Sequence, residues 1–261
     1  MSSKSDSNSG TFVQSLAKGL QVIETFTHDT SHQTLADVSK ITGQSRAATR
    51  RLLHTLVQLG YAEFDGKLFS LTPRTLNLGY SYLSSLGLNE VAYPFMQKLT
   101  DEVQESCSAS VLNGFDVVYV ARVPTSQRVM SITLNIGTRL PAYATSMGRV
   151  HLAGLPFDKL NSYFDDVDIQ AHTEKTVTDI DTLKAIIDQA RREGFAIVED
   201  ELEMGLISIG APIFNNNHQT IAAVNISSHT SRMSIKSMKD TVLPKLLECS
   251  RNISEALAKS Q

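Results

Sequence analysis

Arginine side chains are concentrated in one short segment of the chain, at Arg46, Arg50 and Arg51. An arginine can donate paired hydrogen bonds to a guanine edge or bind a phosphate oxygen. No acidic side chain occurs from Gln44 to Tyr61, so none there repels a phosphate backbone. The segment predicts a DNA-binding surface, and the contacts that we expect are Gln44, Ser45, Arg46, Thr49, Arg50 and Arg51.

Two short helices joined at a glycine position these side chains, in the stretch TLADVSKITGQSRAATRRLLHTLVQLGY from Thr34 to Tyr61. Gly43 supplies the left-handed backbone that ends the first helix, and Ser45 is placed to cap the second. The spacing of the apolar residues predicts that the second helix packs against the core through Ala48, Leu52, Leu56 and Leu59. The opposite side, which in a recognition helix enters the major groove, would carry Arg46, Thr49 and Arg50.

A β-hairpin follows the two helices. Tyr61–Phe64 and Leu68–Leu71 have the two-residue period of strands on either side of Asp65-Gly66-Lys67, and Asp-Gly is a strong signal for a tight turn. A helix-turn-helix followed by such a hairpin is a winged helix, with Lys67 at the tip as a candidate phosphate contact. The alternative, an ordinary helical hairpin with a solvated basic face, does not account for this wing.

A second candidate site lies in the segment GTRLPAYATSMGRVHLAG, from Gly137 to Gly154. A proline-containing loop with small side chains leads into a helix, and the free amides at a helix N-terminus bind anions. An acidic ligand there could pair with Arg122, Arg128 or Arg139. The pattern leaves two alternatives open, because the corner could be close-packed without a ligand and the arginines could pair with surface carboxylates.

The same segment contains Ala144-x-Ser146-x-Gly148, which is close to the G-x-S-x-G nucleophile motif of hydrolases. A serine hydrolase would use Ser146 with a downstream base, for which the chain offers His172, His218 and His229. No HGGG-type oxyanion loop precedes the motif, so we expect no catalytic residue.

Other chemistry is not indicated. His28 and His32 lie in a polar loop, and Cys107 and Cys249 are far apart without a CxxC motif, so we expect no metal site, cofactor or disulfide framework. There is no P-loop and no G-x-G-x-x-G motif. An acidic cluster, which we expect on a solvated turn, consists of Asp200, Glu201 and Glu203.

The length of 261 residues predicts two domains, and the net charge of −3 means that affinity for DNA must come from a local basic surface. The expected divisions are a disordered tail over 1–11, a winged helix over 12–71, a linker helix over 72–87 and a second domain over 88–261. No apolar run reaches the ~20 residues that cross a bilayer, and the N-terminal residues do not form a signal peptide. A soluble, cytoplasmic protein is expected.

The second domain has mixed helical and strand periodicity. The expected strands are Ala109–Leu112, Val117–Val123, Ser131–Ile136, Ala196–Val198, Ile207–Phe214 and Thr220–Ile226. The expected helices run over Val91–Val103, from Thr145 or Ser146, over Thr182–Glu193, and through a closing segment with Val242, Leu246 and Leu257. Strands in the middle with helices at both ends predict an α+β fold in which helices cover an antiparallel sheet.

Five stretches of the chain resemble one known family, the IclR-type transcriptional regulators. They are the opening FVQSLAKGLQVI, the recognition stretch through RRLLHTLVQLGY, the linker LTPRTLNLGYSYL, the segment RLPAYATSMGRV, and EDELEMGLISIGAPIF. The similarity covers nearly the whole chain from Phe12 onward. The opening, the linker and RLPAYATSMGRV further resemble the branch that contains the PcaU, PcaR and PobR regulators.

The resemblance implies a winged helix, a linker helix and a C-terminal GAF-like α/β domain that binds an effector. It implies homodimers, often paired into tetramers, on palindromic operators. For the branch it implies control of aromatic catabolism genes, commonly as an activator with RNA polymerase as a partner, and protocatechuate or 4-hydroxybenzoate as effector.

The effector-binding residues implied by the family are Thr145, Ser146, Met147, Gly148 and Ser208. Many relatives have a cysteine at the position of Ser208, so the resemblance does not fix the ligand there. A hydrolase built on Ser146 and an effector-independent DNA-binding protein are the alternative functions.

Overall fold

The computed structural model describes residues 11–27, 29–125 and 134–260 of the chain. Two compact units divide between Tyr82 and Leu83, within the segment expected to form the linker helix. Each unit has its own hydrophobic core. Among the helices so described, none combines the length and apolar character that a membrane span requires.

The first unit consists of helices followed by a small antiparallel sheet. Its elements are α1 (Gln14–Glu24), β1 (His32–Gln33), α2 (Leu35–Thr42), α3 (Arg46–Gln58), β2 (Ala62–Phe64) and β3 (Phe69–Leu71). The strand order is β1-β3-β2. The strand β1 was not predicted, because its two residues show no period; His32 and Gln33 pair with Ser70 and Phe69. The core consists of Val22, Val38, Leu53, Leu56, Ala62 and Phe69.

The turn between α2 and α3 has the local chemistry of a helix-turn-helix. Thr34 and Asp37 form a capping box at the start of α2, in which the side chain of each accepts a hydrogen bond from the amide of the other. α2 ends at Gly43, whose φ of 65° is a left-handed conformation that glycine adopts without strain. The Ser45 side chain caps α3 by accepting from the Ala48 amide. The predicted glycine turn and serine cap are confirmed.

The hairpin of β2 and β3 forms the predicted wing. Gly66 has a φ of 103°, and Asp65 Oδ1 accepts hydrogen bonds from the amides of Lys67 at 2.8 Å and Leu68 at 2.7 Å. The aspartate satisfies the amides of the turn while the glycine takes the positive φ, which is why this pair favours a tight hairpin. The winged-helix architecture is confirmed.

The linker begins with a single 3-10 turn, Pro73–Thr75, and continues as α4 (Leu76–Leu86). Thr72 precedes this turn but does not cap it with its side chain. The Thr72 hydroxyl instead donates to the carbonyl oxygen of Gly60, which ties the start of the linker to the turn after α3.

The second unit is an antiparallel sheet between helices, as predicted. Its elements are α5 (Leu88–Val103), β4 (Ser106–Asn113), β5 (Asp116–Val123), β6 (Arg139–Pro141), α6 (Ser146–Ala153), α7 (Phe157–Asp166), α8 (Ile180–Glu193), β7 (Ala196–Glu199), β8 (Leu206–Phe214), β9 (Thr220–His229), α9 (Ile235–Ser237) and α10 (Leu243–Ser260). The strand order is β6-β5-β4-β9-β8-β7, with neighbours antiparallel throughout.

Two elements differ from the prediction. Of the strand expected over Ser131–Ile136, residues 131–133 lie outside the described ranges, and Leu134–Ile136 is not a strand; the edge strand is β6. The helix α7 was not predicted, because its sequence FDKLNSYFDD is rich in aspartate, asparagine and serine, which disfavour helix interiors. Burial of its apolar stripe against the core stabilises it nonetheless.

The sheet separates two cores. One face packs against α5 and α10, with Cys107, Ala109 and Val224 in the core between them. The other face belongs to a second core, to which α6, α7 and α8 also contribute. The strands direct several polar side chains to this second face, and the candidate ligand site lies there.

Candidate nucleic-acid interface and effector site

The exposed side of α3 carries the cationic surface of the first unit. Arg46, Arg50 and Arg51 are exposed, and none of them pairs with a carboxylate among the residues that the structure describes. Lys67 is exposed in the wing. Because these charges are not neutralised internally, they can interact with phosphates or base edges.

Thr49 does not lie on this surface, so its expected role in DNA contact is wrong. It is fully buried, and its Oγ1 donates to the Ser45 carbonyl oxygen at 3.1 Å. Thr49, Leu53 and Leu56 form the buried stripe of α3, whereas Leu59, expected in the core, is 50% exposed. The spacing of the apolar residues did not predict which face of α3 is buried, because a threonine can face a core when its hydroxyl bonds to the preceding turn.

Gln44 is also engaged within the protein. Its Nε2 donates to the carbonyl oxygen of Lys18 at 3.3 Å, and its backbone carbonyl accepts from the Ser39 hydroxyl. The side chain therefore helps to hold α1 against the helix-turn-helix and is not directed to solvent. Ser45 remains exposed at the start of α3, with its hydroxyl used as the cap.

The second face of the large sheet carries a row of aligned polar residues. Arg122 on β5 pairs in register with Ser108 on β4, which pairs with Asn225 on β9, which pairs with Gly210 on β8. Residues two positions along a strand point to the same face. The side chains that share this face, called here the polar face, are Ser108, Ser110, Tyr119, Arg122, Ser208, Asn225 and Ser227.

Arg122 is the cation of the polar face. Its Nη1 donates to Ser108 Oγ at 3.1 Å, and no carboxylate pairs with it in the described part of the chain. Burial lowers the pKa of this guanidinium from its ordinary value. The neighbouring Tyr119 is almost fully buried, and desolvation raises its pKa to about 12 in spite of the opposing charge of Arg122. The result is a positive charge held partly out of water without a counter-charge.

The corner at the start of α6 packs closely against the sheet. Thr145 caps α6, with its Oγ1 accepting from the Gly148 amide at 3.1 Å. A Cβ on Gly148 would lie 2.1 Å from the Ala142 carbonyl oxygen, and one on Gly210 would lie 2.9 Å from the carbonyl carbon of Ser146. A side chain at either position would therefore clash, and only glycine lets Gly148 pack on Ala142 and Gly210 pack on Ser146 so closely.

The Ser146 side chain is completely buried in this corner, and its Oγ has no hydrogen-bond partner among the described residues. Met147, next along α6, is also buried and belongs to the second core. Ser208 is buried on β8 and pairs in register with Ser227 of the polar face.

The other two candidate arginines do not join this site. Arg139 pairs in register with Val118, whose side chain packs on the opposite core, and its guanidinium is bound by Asp116 at 3.0 Å and by Asn113. The expected role of Arg139 toward a ligand is therefore wrong: it belongs to the edge of the sheet. Arg128 lies outside the described residues.

The geometry of a serine hydrolase is not formed within the described residues. Ser146 Oγ has no partner, so no histidine is positioned as its base. The ring of His172 bonds to the Tyr143 hydroxyl, and that of His229 bonds to Ser231. The buried His151, on α6 itself, is directed to the carbonyl oxygen of Ser110.

The acidic cluster is not a solvated turn, which corrects the prediction. Asp200 and Glu201 are each 7% exposed. Glu201 Oε2 lies 2.7 Å from Nη2 of the buried Arg149, and Asp200 Oδ2 lies 2.6 Å from Lys175 Nζ. This pairing could not be predicted from the sequence, because Arg149 on α6 and Glu201 in the loop after β7 are far apart in the chain.

Within the ranges described, the structure holds no cluster of histidine, cysteine and carboxylate side chains that would bind a metal ion. Cys107 and Cys249 are buried free thiols. Desolvation raises the pKa of both.

Two family models match the chain. The model described as the IclR helix-turn-helix domain matches residues 15–66, and the model of the IclR C-terminal domain of bacterial transcriptional regulators matches residues 80–255. The first covers most of the winged unit, including its exposed arginines, and the second covers the sheet with the polar face.

Known relatives match over almost the whole length. The Pca regulon regulatory protein of Pseudomonas putida is 42% identical over 94% of this chain and 84% of its own. The p-hydroxybenzoate hydroxylase transcriptional activator of Acinetobacter baylyi is 37% identical over 90% of this chain and 88% of its own. A crystal structure from Acinetobacter, of a double-mutant PobR inducer-binding domain with 3-hydroxybenzoic acid, is 31% identical with a TM-score of 0.59, covering 63% of this chain and 96% of that one.

A winged helix joined to a ligand-binding α/β domain defines a DNA-binding regulator of transcription. The chain belongs to the IclR family of bacterial transcriptional regulators. The family resemblance and the α+β fold are confirmed, and its relatives are regulators, not enzymes.

Proposed function

We propose that this protein regulates genes of aromatic-compound catabolism by binding a palindromic operator and a small aromatic carboxylic acid. The observation that carries the proposal is the half-buried Arg122, which pairs with no carboxylate among the described residues. A buried charge is costly unless it is paired, and the carboxylate of an effector would pair with it.

The surroundings of Arg122 support the proposal that the effector is aromatic. The second core reaches the polar face through Tyr119 and Met147, which offer apolar walls. A relative at 37% identity is named as activator for p-hydroxybenzoate hydroxylase, and the related inducer-binding domain was crystallised with 3-hydroxybenzoic acid. Protocatechuate and 4-hydroxybenzoate are the effectors that we propose.

The effector site proposed from these contacts consists of Arg122, Ser146, Met147 and Ser208. Thr145 and Gly148 shape the site without reaching a ligand by their side chains, because Thr145 is the cap of α6 and Gly148 has no side chain. The site therefore combines one cation, buried hydroxyls and apolar walls, as sites for small amphipathic ligands do.

The DNA contacts that we propose are Ser45, Arg46, Arg50 and Arg51 on α3, with Lys67 in the wing. A homodimer would present two copies of α3 to half-sites about one helical turn, ~34 Å, apart. We propose that the protein acts in the cytoplasm as an activator that contacts RNA polymerase, and that dimers pair into tetramers. The effector must favour one arrangement of the dimer over another, because equal affinity for both would shift nothing.

Operator binding measured by fluorescence anisotropy, with and without each acid, tests the proposal. The upstream region of the genes adjacent to the gene for this protein supplies the DNA, and a scrambled duplex of the same length is the control. We expect at least one of the two acids to change the operator affinity several-fold. An operator affinity that no aromatic acid alters would indicate an effector-independent DNA-binding protein.

A further inference from the structure

We infer that Asn225 and Ser146 recognise a ring hydroxyl of the effector, so that the site selects hydroxylated aromatic acids over unsubstituted ones. The inference rests on the proposed function, which places the effector carboxylate at Arg122. It adds the identity of the residues that recognise the other end of the ligand, and hence the direction in which the ligand lies.

Two buried oxygen atoms at this site have no hydrogen-bond partner within the described ranges. They are Asn225 Oδ1, in a residue that is 3% exposed, and Ser146 Oγ, in a residue that is 0% exposed. Buried polar groups are nearly always paired in folded proteins, and leaving one unpaired is unfavourable. Two such atoms in one site therefore point to a ligand that bonds to them.

The two residues belong to two elements that meet at Gly210. Asn225 pairs in register with Gly210 on β8. The backbone of Ser146 packs directly over Gly210, so close that a Cβ there would lie 2.9 Å from the Ser146 carbonyl carbon. The sheet thus supplies the Asn225 amide, and the start of α6, which packs on the neighbouring Gly210, supplies Ser146.

Arg122 lies at the other end of the same cross-strand row. The register runs from Arg122 through Ser108 to Asn225, one residue on each of three adjacent strands. Strands are spaced about 4.8 Å apart, so the Cα atoms of Arg122 and Asn225 are separated by about 10 Å. We infer that a single aromatic ring lies across this interval, with its carboxylate toward the Arg122 guanidinium and its opposite edge toward Asn225 and Ser146.

A hydroxyl group is the substituent that suits this end of the site. Asn225 Nδ2 already donates to Ser227 Oγ at 3.0 Å, which leaves the oxygen of the amide to accept. A phenolic hydroxyl both donates and accepts, so it would pair with Asn225 in either orientation of the amide and with Ser146 as well. An unsubstituted ring edge would cover both oxygens without bonding to either.

Isothermal titration of the full-length protein tests this inference with 4-hydroxybenzoate, 3-hydroxybenzoate, protocatechuate and benzoate. We expect the wild-type protein to bind at least one hydroxylated acid roughly tenfold or more tightly than benzoate, because benzoate would leave the two buried oxygens unpaired. In Asn225→Leu and Ser146→Ala this preference should fall to less than about threefold, mainly through weaker binding of the hydroxylated acid.

Asn217→Leu, on the exposed β8–β9 turn, is the matched control, and Asn225→Ala is a smaller second variant in case the leucine perturbs folding. Thermal unfolding and operator binding confirm that each variant is folded. The inference is overturned if the Asn225 variants lose affinity equally for benzoate and for hydroxylated acids, or if they keep the wild-type preference. Failure of the wild-type protein to bind any of the four acids would instead refute the proposed effector class, and this inference with it.

Discussion

Arg149 and Glu201 form an ion pair that is buried at both ends, with 2.7 Å between Arg149 Nη2 and Glu201 Oε2 and side chains that are 2% and 9% exposed. Arg149 Nε also donates to the Tyr143 carbonyl oxygen, and the Val177 amide donates to Glu201. The pair thereby joins the corner before α6, the segment before α8 and the loop after β7. Arg122, by contrast, pairs with no carboxylate in the described ranges. The first arginine joins three segments of the domain, and the second is the one that we propose for the effector carboxylate.

Neutralising Glu201 should destabilise the second unit. Glu201→Gln leaves the Arg149 charge buried without a counter-charge, which costs about 3–5 kcal/mol when one partner of a buried pair is removed. We expect the free energy of unfolding, measured with urea, to fall by about 3 kcal/mol.

The double variant Arg149→Met/Glu201→Leu is the control for that loss. It removes both charges and replaces them with apolar side chains, so it should be more stable than Glu201→Gln. A single variant as stable as the wild type would show that the pair is not formed in solution.

Arg50→Ala should weaken operator binding without changing effector affinity. An arginine that binds a base edge or phosphate contributes on the order of 1–3 kcal/mol, and the loss of a phosphate contact lowers the salt slope of binding by about 1. Anisotropy titrations at several salt concentrations measure both. The matched variant Thr49→Val alters a buried neighbour on α3 and should retain operator affinity. An Arg50→Ala protein with wild-type DNA affinity would contradict the placement of the recognition surface.

Ser146→Leu should abolish the response to effector and spare DNA binding. The side chain is completely buried in the corner that packs against the sheet, so a leucine would occupy the volume that we propose for the effector. Operator affinity with and without acid, compared with Ser162→Leu on the exposed side of α7, measures the effect. Loss of both activities in Ser146→Leu, together with a lower unfolding temperature, would indicate misfolding.

His151 should make stability fall below neutral pH. Burial lowers its pKa to about 4, from a value of about 6.5 in the unfolded chain. Between these values the unfolded state binds the proton and the folded state does not, so its contribution to stability is complete above pH ~6.5 and decreases as pH falls toward 4. The loss is on the order of 3 kcal/mol.

Urea unfolding of the wild-type protein and His151→Gln between pH 7.5 and pH 4.5 tests this dependence, because that range covers most of the interval between the two pKa values. Glutamine does not titrate, so the slope of unfolding free energy against pH should be smaller in the variant. Equal slopes in the two proteins would assign the acid sensitivity to other groups.

The first unit could be predicted from sequence because its signals are local. Gly43, Ser45 and the Asp65-Gly66 turn each specify a backbone conformation through their own side chains, and the structure contains all of them. The face of α3 that is buried could not be predicted as reliably. Thr49 faces the core because its hydroxyl bonds to Ser45, and apolar spacing does not register a buried threonine.

The proposed effector site could be predicted only in part, because it is assembled across strands. The corner at Ser146 has a recognisable loop-to-helix sequence, whereas the alignment of Arg122 with Ser108 and Asn225 depends on the register of three strands. From the sequence alone, Arg122, Arg128 and Arg139 were therefore equal candidates for binding an acidic ligand. In the structure Arg122 lies on the polar face without a carboxylate partner among the described residues, and Arg139 pairs with Asp116. Asn225, for which no motif gave a signal, lies on the same face with an unpaired buried oxygen.

The most direct test of the account is the affinity of Arg122→Met for 4-hydroxybenzoate and protocatechuate, measured by isothermal titration beside the wild-type protein and Arg139→Met. Removing one partner of a buried charge pair costs about 2 kcal/mol or more, which is a loss of roughly thirtyfold. We predict that loss in Arg122→Met for the acid that the wild type binds, little change in Arg139→Met, and little effect of Arg122→Met on binding of the corresponding uncharged amide. Unchanged affinity of Arg122→Met for the acid would contradict the claim that Arg122 binds the effector carboxylate.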